Sequence, residues 1–261
     1  MRLVPNGVPV VLLNAFPVDR AQWEPLLEEL AARRLPHGDV ITFDMPGIGD
    51  MPLPEEEPSL ELIADAATTA MIDVTGEPAA VWIGCSMGGY VAMAVAERHP
   101  EAVAGIVLIG TKASADAPEA RDRRLSLAGS LDGKPGAPDP QAMAEPLIGT
   151  QGPARAALVD AVARNIARHS GYGIAWGQRA MAGRPDRLAV LAGLDVPAAV
   201  IRGAEDGVAG DAEAQAMAKA LDVEVVTVPG VGHLTAFEAP QAVADAVVGV
   251  LAEAEERRAR G

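Results

Sequence analysis

The stretch from Ala80 to Met93 constrains the fold of this chain more than any other feature. It begins as an apolar run typical of a buried strand, breaks at Gly84-x-Ser86-x-Gly88, and continues as an Ala-rich helical pattern. Together these predict a sharp strand-to-helix turn that lifts one serine above the edge of a sheet. Such a serine takes a strained backbone conformation, so the residues two before and two after it must be small. The N-terminus of the following helix can then stabilise negative charge that develops at the serine.

Strand and helix patterns alternate on both sides of this turn. Strand patterns occupy residues 8–14, 40–44, 79–84, 103–110, 198–203 and 223–228, and helical patterns occupy residues 22–34, 59–75, 87–98, 211–220 and 239–254. Such alternation implies parallel strands joined by right-handed crossovers. Residues 112–194 show helical patterns without a convincing strand. We therefore predict an α/β three-layer sandwich with a mostly parallel sheet. Residues 1–111 and 195–261 would form its core, and residues 112–194 a helical cap inserted in it.

Composition excludes several classes of function. The net charge of −15 argues against partners that are nucleic acids or anionic membranes, because both need a basic surface. Cys85 is the only cysteine, so no internal disulfide can form. The N-terminus lacks the pattern of a cleaved leader, and no apolar run is long enough to span a bilayer. No residue cluster has metal-ligand spacing or a nucleotide-binding fingerprint. We expect a cytoplasmic protein that acts on a small molecule without a metal or other cofactor.

A serine hydroxyl is a poor nucleophile at neutral pH and needs a base, usually a histidine. His233 lies in a Gly-rich loop directly after the last predicted strand, and sites in parallel sheets form beyond the carboxyl ends of strands. His37, His99 and His169 have no such placement. We therefore predict that His233 is the base for Ser86.

The carboxylate that orients the histidine should also follow a strand, between the serine and the histidine in chain order. Asp206 fits this requirement, because it lies in the loop after the strand pattern of residues 198–203. Its neighbour Glu205 is the alternative, and periodicity does not separate the two. Asp211 instead has the position of a helix N-cap.

Acyl transfer also needs two N–H donors for the oxyanion. One is predicted to be the backbone N–H of Met87, which follows the serine. The other is assigned to the backbone N–H of Phe16, in the loop after the first strand.

Several motifs carry a resemblance to a known family. The segments Gly84-Cys85-Ser86-Met87-Gly88-Gly89, Gly203-Ala204-Glu205-Asp206 and Gly232-His233 resemble, in order and context, those of the α/β-hydrolase fold superfamily. Asp44-Met45-Pro46-Gly47-Ile48-Gly49 is similar to the D-x-P/R-G-x-G loop of its esterase, lactonase and haloperoxidase-like members. Asn14-Ala15-Phe16-Pro17 is similar to their H-G-F-P oxyanion loop, with Asn14-Ala15 in place of His-Gly. The segment from Gly232-His233 to Glu238-Ala239-Pro240 is similar to their G-H…E-x-P segment. The few residues before the first strand suggest that the first two strands of the family are reduced or missing.

This resemblance implies a serine hydrolase that cleaves a carboxylic ester or lactone of a small, mostly apolar substrate. Ser86 would form the acyl-enzyme, His233 would move the proton, and Asp206 would orient His233. A perhydrolase, a C–C bond hydrolase or a lyase could use the same three groups. A non-catalytic small-molecule-binding protein on this fold is the alternative from another class. Cys85 is predicted to be a buried, inert thiol. Five side chains could line a substrate pocket or simply pack the cap onto the core: Trp23, Met143, Tyr172, Trp176 and Met181.

Overall fold

Six parallel strands form a single sheet at the centre of the protein. The computed structural model describes residues 7–33 and 38–260. The strands are β1 (Val10–Leu13), β2 (Val40–Phe43), β3 (Ala80–Cys85), β4 (Val103–Ile109), β5 (Ala198–Gly203) and β6 (Val225–Val228). Their order across the sheet is β2-β1-β3-β4-β5-β6, and every neighbouring pair is parallel. The sheet thus has the mostly parallel arrangement that the alternating patterns predict.

Helices cover both faces of this sheet. Within the described residues they are α1 (Glu24–Arg33), α2 (Leu60–Thr75), α3 (Met87–Arg98), α4 (Pro118–Ser130), α5 (Pro140–Ala144), α6 (Ala154–Ile166), α7 (Gly171–Ala182), α8 (Leu188–Ala192), α9 (Asp211–Ala220), α10 (Thr235–Glu238) and α11 (Pro240–Arg260). Helix α2 begins after Ser59, whose hydroxyl accepts a hydrogen bond from the Leu62 N–H at 3.1 Å. None of these helices has the length and apolar character needed to cross a membrane.

The central strand β3 is buried along its whole length, because helices cover both of its faces. Alternate residues face opposite sides. Trp82 belongs to the apolar cluster on one face, while Ile83 and Cys85 belong to the cluster on the other. The predicted buried thiol of Cys85 is confirmed, and burial raises its pKa. A buried strand of this kind gives the turn at Ser86 a rigid base.

Helices α4 to α8 lie between β4 and β5, within residues 112–194, which we call the helical insertion. Two glycines of α7 allow this helix to pack closely on the loops after β1 and β2. A Cβ atom added to Gly173 would lie 2.2 Å from the carbonyl oxygen of Gly47. One added to Gly177 would lie 2.4 Å from Cε2 of Phe16. The division into a core and a separate cap stays a prediction.

The predicted elements differ from the structure mainly at their ends. The helix predicted from residue 22 begins with a 3-10 turn, Arg20–Trp23, before α1. Strand β6 begins at Val225, not at residue 223. Helix α11 continues to Arg260, where spaced ion pairs such as Arg260 with Glu256 stabilise its last turns. His37 lies outside the described residues.

Asp116 precedes α4 but does not cap it. Ala117 occupies the N-cap position of α4. The Asp116 carboxylate instead accepts hydrogen bonds from Arg124 at 2.7 Å and from two nitrogens of Arg184 at 2.8 Å. Burial raises the pKa of Asp116, but the hydrogen bonds from Arg184 and Arg124 outweigh it and lower this pKa from 3.8 to about 2. The carboxylate therefore links both ends of the insertion.

We expect Asp116 to stabilise the folded protein above about pH 4 and to lose this effect as the pH falls toward about 2. The pKa is lower in the folded state, so the ionised carboxylate favours folding by about 2 kcal/mol above the pKa of the unfolded chain. Urea unfolding of wild type and Asp116→Asn between about pH 6 and pH 2 measures this contribution. The difference in the free energy of unfolding should shrink across that window. A difference that does not change with pH would contradict this assignment.

Candidate active site

Ser86 lies on the turn between β3 and α3, in a backbone conformation that is uncommon for residues other than glycine. Its φ and ψ angles are 53° and −114°. A Cβ atom added to Gly84 would lie 2.3 Å from the carbonyl oxygen of Gly88. One added to Gly88 would lie 2.0 Å from the carbonyl oxygen of Leu13. The two glycines of the motif are therefore required by the packing of the turn.

Hydrogen bonds to neighbouring segments hold the backbone of Ser86 in place. Its N–H donates to the carbonyl oxygen of Ile109 at 2.9 Å. Its own carbonyl oxygen accepts hydrogen bonds from the Gly89 N–H at 2.9 Å and from the Thr111 hydroxyl at 2.7 Å. Thr111 is not among the residues predicted from the sequence, where its only signal is its position just after β4. These bonds make the strained turn rigid.

The structure brings His233 and Asp206 together at the same end of the sheet. Nδ1 of His233 lies 2.9 Å from Oδ2 and 3.1 Å from Oδ1 of Asp206. Both residues are buried, whereas Glu205 is exposed. Gly110 packs against this pair. A Cβ atom added to it would lie 3.3 Å from Nδ1 of His233, and the preceding residue, Ile109, accepts the Ser86 N–H.

The surroundings of Asp206 keep its carboxyl group ionised. Burial raises its pKa, but the hydrogen bond and the charge of His233 lower it. The backbone N–H groups of Val208 and Ala209 donate to Oδ1 at 2.8 and 3.0 Å and lower the pKa further. The net result is a pKa below the usual value. An ionised carboxylate at this distance favours the ring tautomer that carries its proton on Nδ1.

Glu238 holds the loop that carries His233 against the helical insertion. One carboxylate oxygen accepts the Gly232 N–H at 2.8 Å. The other accepts the N–H groups of Gly149 and Thr150 at 2.9 and 2.7 Å, as well as the Thr150 hydroxyl at 2.7 Å. The position of His233 thus depends on contacts with residues from the insertion.

The loop proposed to form the oxyanion hole is fixed by buried side chains. The amide of Asn14 donates to Asp44 at 2.8 Å, and its oxygen accepts the indole N–H of Trp23 at 3.0 Å. Oε1 of Gln22 accepts the Ala15 N–H at 2.9 Å. The replacement of His-Gly by Asn14-Ala15 is therefore accommodated within a buried network. In the sequence, Asp44 stands out only as part of a motif, and Gln22 carries no signal of this role.

The remaining candidates differ widely in exposure. Trp23 is fully buried in the core. Trp176 and Met181 of α7 are buried, and Met143 is partly buried. Tyr172 is 47% exposed. Met87 is buried at the first position of α3, and Phe16 is buried beneath Gly177.

The other described histidines have hydrogen-bond partners outside the turn that carries Ser86. Nε2 of His99 contacts Asp65 at 2.7 Å at the end of α3. His169 accepts the Gly49 N–H at 3.3 Å, and burial lowers its pKa. Over residues 7–33 and 38–260, no group of three or more His, Cys, Asp or Glu side chains could hold a metal ion.

A cavity of about 180 Å³ lies between the insertion and the loop that follows His233. Its lining includes Val162 and Asn165 of α6, with Leu234 and Phe237 opposite them. Gln22, which holds the Ala15 N–H, also lines it. The cavity therefore lies beside Leu234, which follows His233 in the chain, and beside a side chain that holds the loop after β1.

Known proteins share this fold over most of the chain. A thermophilic esterase from Thermogutta terrifontis, solved with malate bound, matches with a TM-score of 0.85 and 29% identity, over 97% of this chain and 92% of that one. The enol-lactonase from Burkholderia xenovorans matches with a TM-score of 0.75 and 23% identity, over 95% of this chain and 92% of the lactonase. At that identity the match shows the fold alone.

Similarity to curated sequences is more limited. A pimeloyl-[acyl-carrier protein] methyl ester esterase from Xanthomonas campestris is 30% identical over 129 residues, which are 47% of this chain and 46% of that protein. The chain thus spans about half the length of this relative. The family model described as alpha/beta hydrolase fold matches residues 8–240. The chain therefore belongs to the α/β-hydrolase fold family.

Proposed function

We propose that this protein is a serine hydrolase that cleaves a carboxylic ester or lactone of a small, mostly apolar substrate. The observation that carries the proposal is the buried His233–Asp206 pair at the end of the sheet where Ser86 occupies its strained turn. A strained, glycine-flanked serine costs stability that a purely structural turn does not require. Esterase and lactonase activities among proteins of the same fold support the reaction class.

The proposed reaction proceeds in two halves. Oγ of Ser86 attacks the carbonyl carbon while Nε2 of His233 takes the hydroxyl proton, and the negative charge forms on the carbonyl oxygen. The backbone N–H groups of Phe16 and Met87 stabilise that oxyanion. The leaving alcohol then takes the proton from His233, which leaves the acyl group on Ser86.

In the second half a water molecule releases the acyl group. His233 takes a proton from the water, whose oxygen attacks the acyl carbon. The tetrahedral intermediate expels Ser86, which recovers a proton from His233, and the carboxylic acid leaves. Throughout both halves Asp206 stabilises the imidazolium and keeps the ring oriented.

We further propose that the helical insertion acts as a cap that covers the substrate. Its helix α7 packs on Phe16 through Gly177, and α6 lines the cavity next to Leu234. Trp176, Met181 and Met143 are the buried or partly buried apolar side chains of the insertion that we propose for substrate contact. Trp23 instead packs in the core and donates to Asn14, which favours a structural role.

A fluorophosphonate probe combined with a substrate panel tests this proposal. We expect labelling of a peptide that contains Ser86, together with turnover of activated esters in an acyl-chain-length series or of members of a lactone panel. Labelling with negligible turnover across both panels would favour a lyase, a C–C bond hydrolase or a perhydrolase. Correctly folded protein that is not labelled would favour a non-catalytic binding protein.

A further inference from the structure

Charge is distributed unevenly between the helical insertion and the rest of the chain. Residues 112–194 contain 11 of the 21 Lys and Arg residues but only 8 of the 36 Asp and Glu residues, which gives this segment a net charge of +3. The remaining residues carry a net charge of −18. An anionic molecule is therefore repelled by most of the protein, and the insertion is the segment that attracts it.

Within the insertion, three cations surround a single carboxylate. Asp116 lies 3.6 Å from Nζ of Lys112, 2.7 Å from Arg124 and 2.8 Å from Arg184. Lys112 and Arg124 are each 23% exposed, so both can reach a ligand, whereas Arg184 is buried. The nearby Glu213 is engaged by the Ser114 hydroxyl at 2.9 Å. Three positive side chains therefore face two negative ones, Asp116 and Glu213, so this region has an excess of positive charge.

This cationic cluster, Lys112, Arg124 and Arg184, lies next to the turn that carries the serine. Lys112 follows Thr111, whose hydroxyl donates to the carbonyl oxygen of Ser86 at 2.7 Å. The guanidinium of Arg184 lies 4.2 Å from the ring centroid of Tyr90. The Tyr90 N–H in turn donates to the same Ser86 carbonyl oxygen at 3.3 Å. The excess charge is thus adjacent to the first turn of α3.

Two buried donors in this part of the protein have no hydrogen-bond partner among the described residues. They are Nε of Arg184 and Nε1 of Trp176. Both side chains are more than nine-tenths buried, and a buried donor without a partner is costly. Donors of this kind are complementary to a ligand that brings acceptor oxygens. The cluster therefore has unbalanced positive charge and, at Nε of Arg184, an unused N–H group.

We propose that the part of the insertion formed by α4 and α7 receives a carboxylate at the end of the substrate remote from the scissile bond. Arg124 and Lys112, the two partly exposed cations of the cluster, pair with this carboxylate. The inference rests on the proposed hydrolase function and narrows its substrate to an ester or lactone with an apolar body and an anionic end. A bidentate guanidinium–carboxylate contact is the strongest interaction that this donor set offers.

The test compares two activated esters that differ only at their remote end. They are the 4-nitrophenyl ester of pentanoic acid and the 4-nitrophenyl monoester of glutaric acid. We expect wild type to favour the anionic ester in kcat/KM by at least about tenfold at low ionic strength. High salt should reduce this preference. We expect both Arg124→Gln and Lys112→Gln to lower the ratio of the two kcat/KM values, Arg124→Gln by about tenfold.

The matched control is Arg164→Gln, which removes the same charge from the insertion. Arg164 is exposed on α6 and has no partner among the described residues, so its loss should leave the ratio within about twofold. Lys112→Gln removes one ion pair, to Asp116 at 3.6 Å, and so disturbs the fold less than Arg124→Gln does. It therefore serves as the test variant if Arg124→Gln does not fold. A wild-type ratio at or below one would overturn the proposal. The proposal would also be overturned if Arg164→Gln lowered the ratio of the two kcat/KM values as much as Arg124→Gln does.

A binding experiment separates this inference from the proposed function. If neither ester is hydrolysed, the hydrolase proposal fails, and calorimetry with glutarate and with pentane-1,5-diol tests the carboxylate site alone. Binding of glutarate but not of the diol, weakened by Lys112→Gln, would support the site. Absence of glutarate binding would overturn it.

Discussion

Replacement of Ser86 by alanine should abolish ester or lactone turnover and fluorophosphonate labelling while leaving the fold intact. The hydroxyl is the only group that the substitution removes, and we expect kcat to fall by about four orders of magnitude or more. Alanine has the same backbone strain as serine at a φ of 53°, so the turn should persist. The measurement combines steady-state kinetics with thermal unfolding of both proteins.

Cys85→Ala is the matched control for this prediction. Cys85 is adjacent to the serine in sequence, but its buried side chain belongs to an apolar core cluster, and its sulfur lies 3.9 Å from a backbone atom of His233, the carbonyl oxygen. Its removal should change stability more than chemistry. If Cys85→Ala lost activity while Ser86→Ala kept it, the proposed nucleophile would be wrong.

Asp206→Asn should lower kcat by about three to four orders of magnitude. Oδ1 of Asp206 accepts two backbone N–H groups, from Val208 and Ala209, so the oxygen of an asparagine would stay at this position. The new amide nitrogen would then take the place of Oδ2 and donate to Nδ1 of His233. This forces the proton of the neutral ring onto Nε2, where the ring can no longer accept a proton from Ser86. The same kinetic assay measures the loss.

Glu205→Gln tests whether the effect is specific to this carboxylate. The substitution removes the negative charge of an exposed side chain that is one residue away from Asp206. We expect kcat within about twofold of wild type. The opposite pair of results, a large loss in Glu205→Gln and little change in Asp206→Asn, would reassign the acid to Glu205.

Much of the fold could be predicted from local patterns. Helix α3 begins at Met87 and ends at Arg98, as predicted, and β5 covers Ala198–Gly203 as predicted. Such elements carry a clear apolar periodicity and well-placed turn residues, which are properties of consecutive residues. The ends of elements were less predictable, because tertiary contacts extend or shorten them. Helix α11, for example, continues to Arg260.

The candidate site shows the same division. The sequence indicated Ser86, because the small residues at positions 84 and 88 are a local requirement of the turn. It also indicated His233, because its loop directly follows a strand. It could not separate Asp206 from Glu205, which share one loop. Only the fold shows that Asp206 faces Nδ1 of His233 and that Glu205 is exposed.

By itself, the sequence determined the parallel α/β architecture and the serine on its strained turn, since both depend on residues that are neighbours in the chain. Only the tertiary structure decided what Asp116 does and how Asn14 is accommodated. Asp116 joins Arg124 and Arg184, which lie 8 and 68 residues further along the chain. Asn14 bonds to Asp44, 30 residues away. Contacts at such separations depend on how distant segments pack, and no local pattern records them.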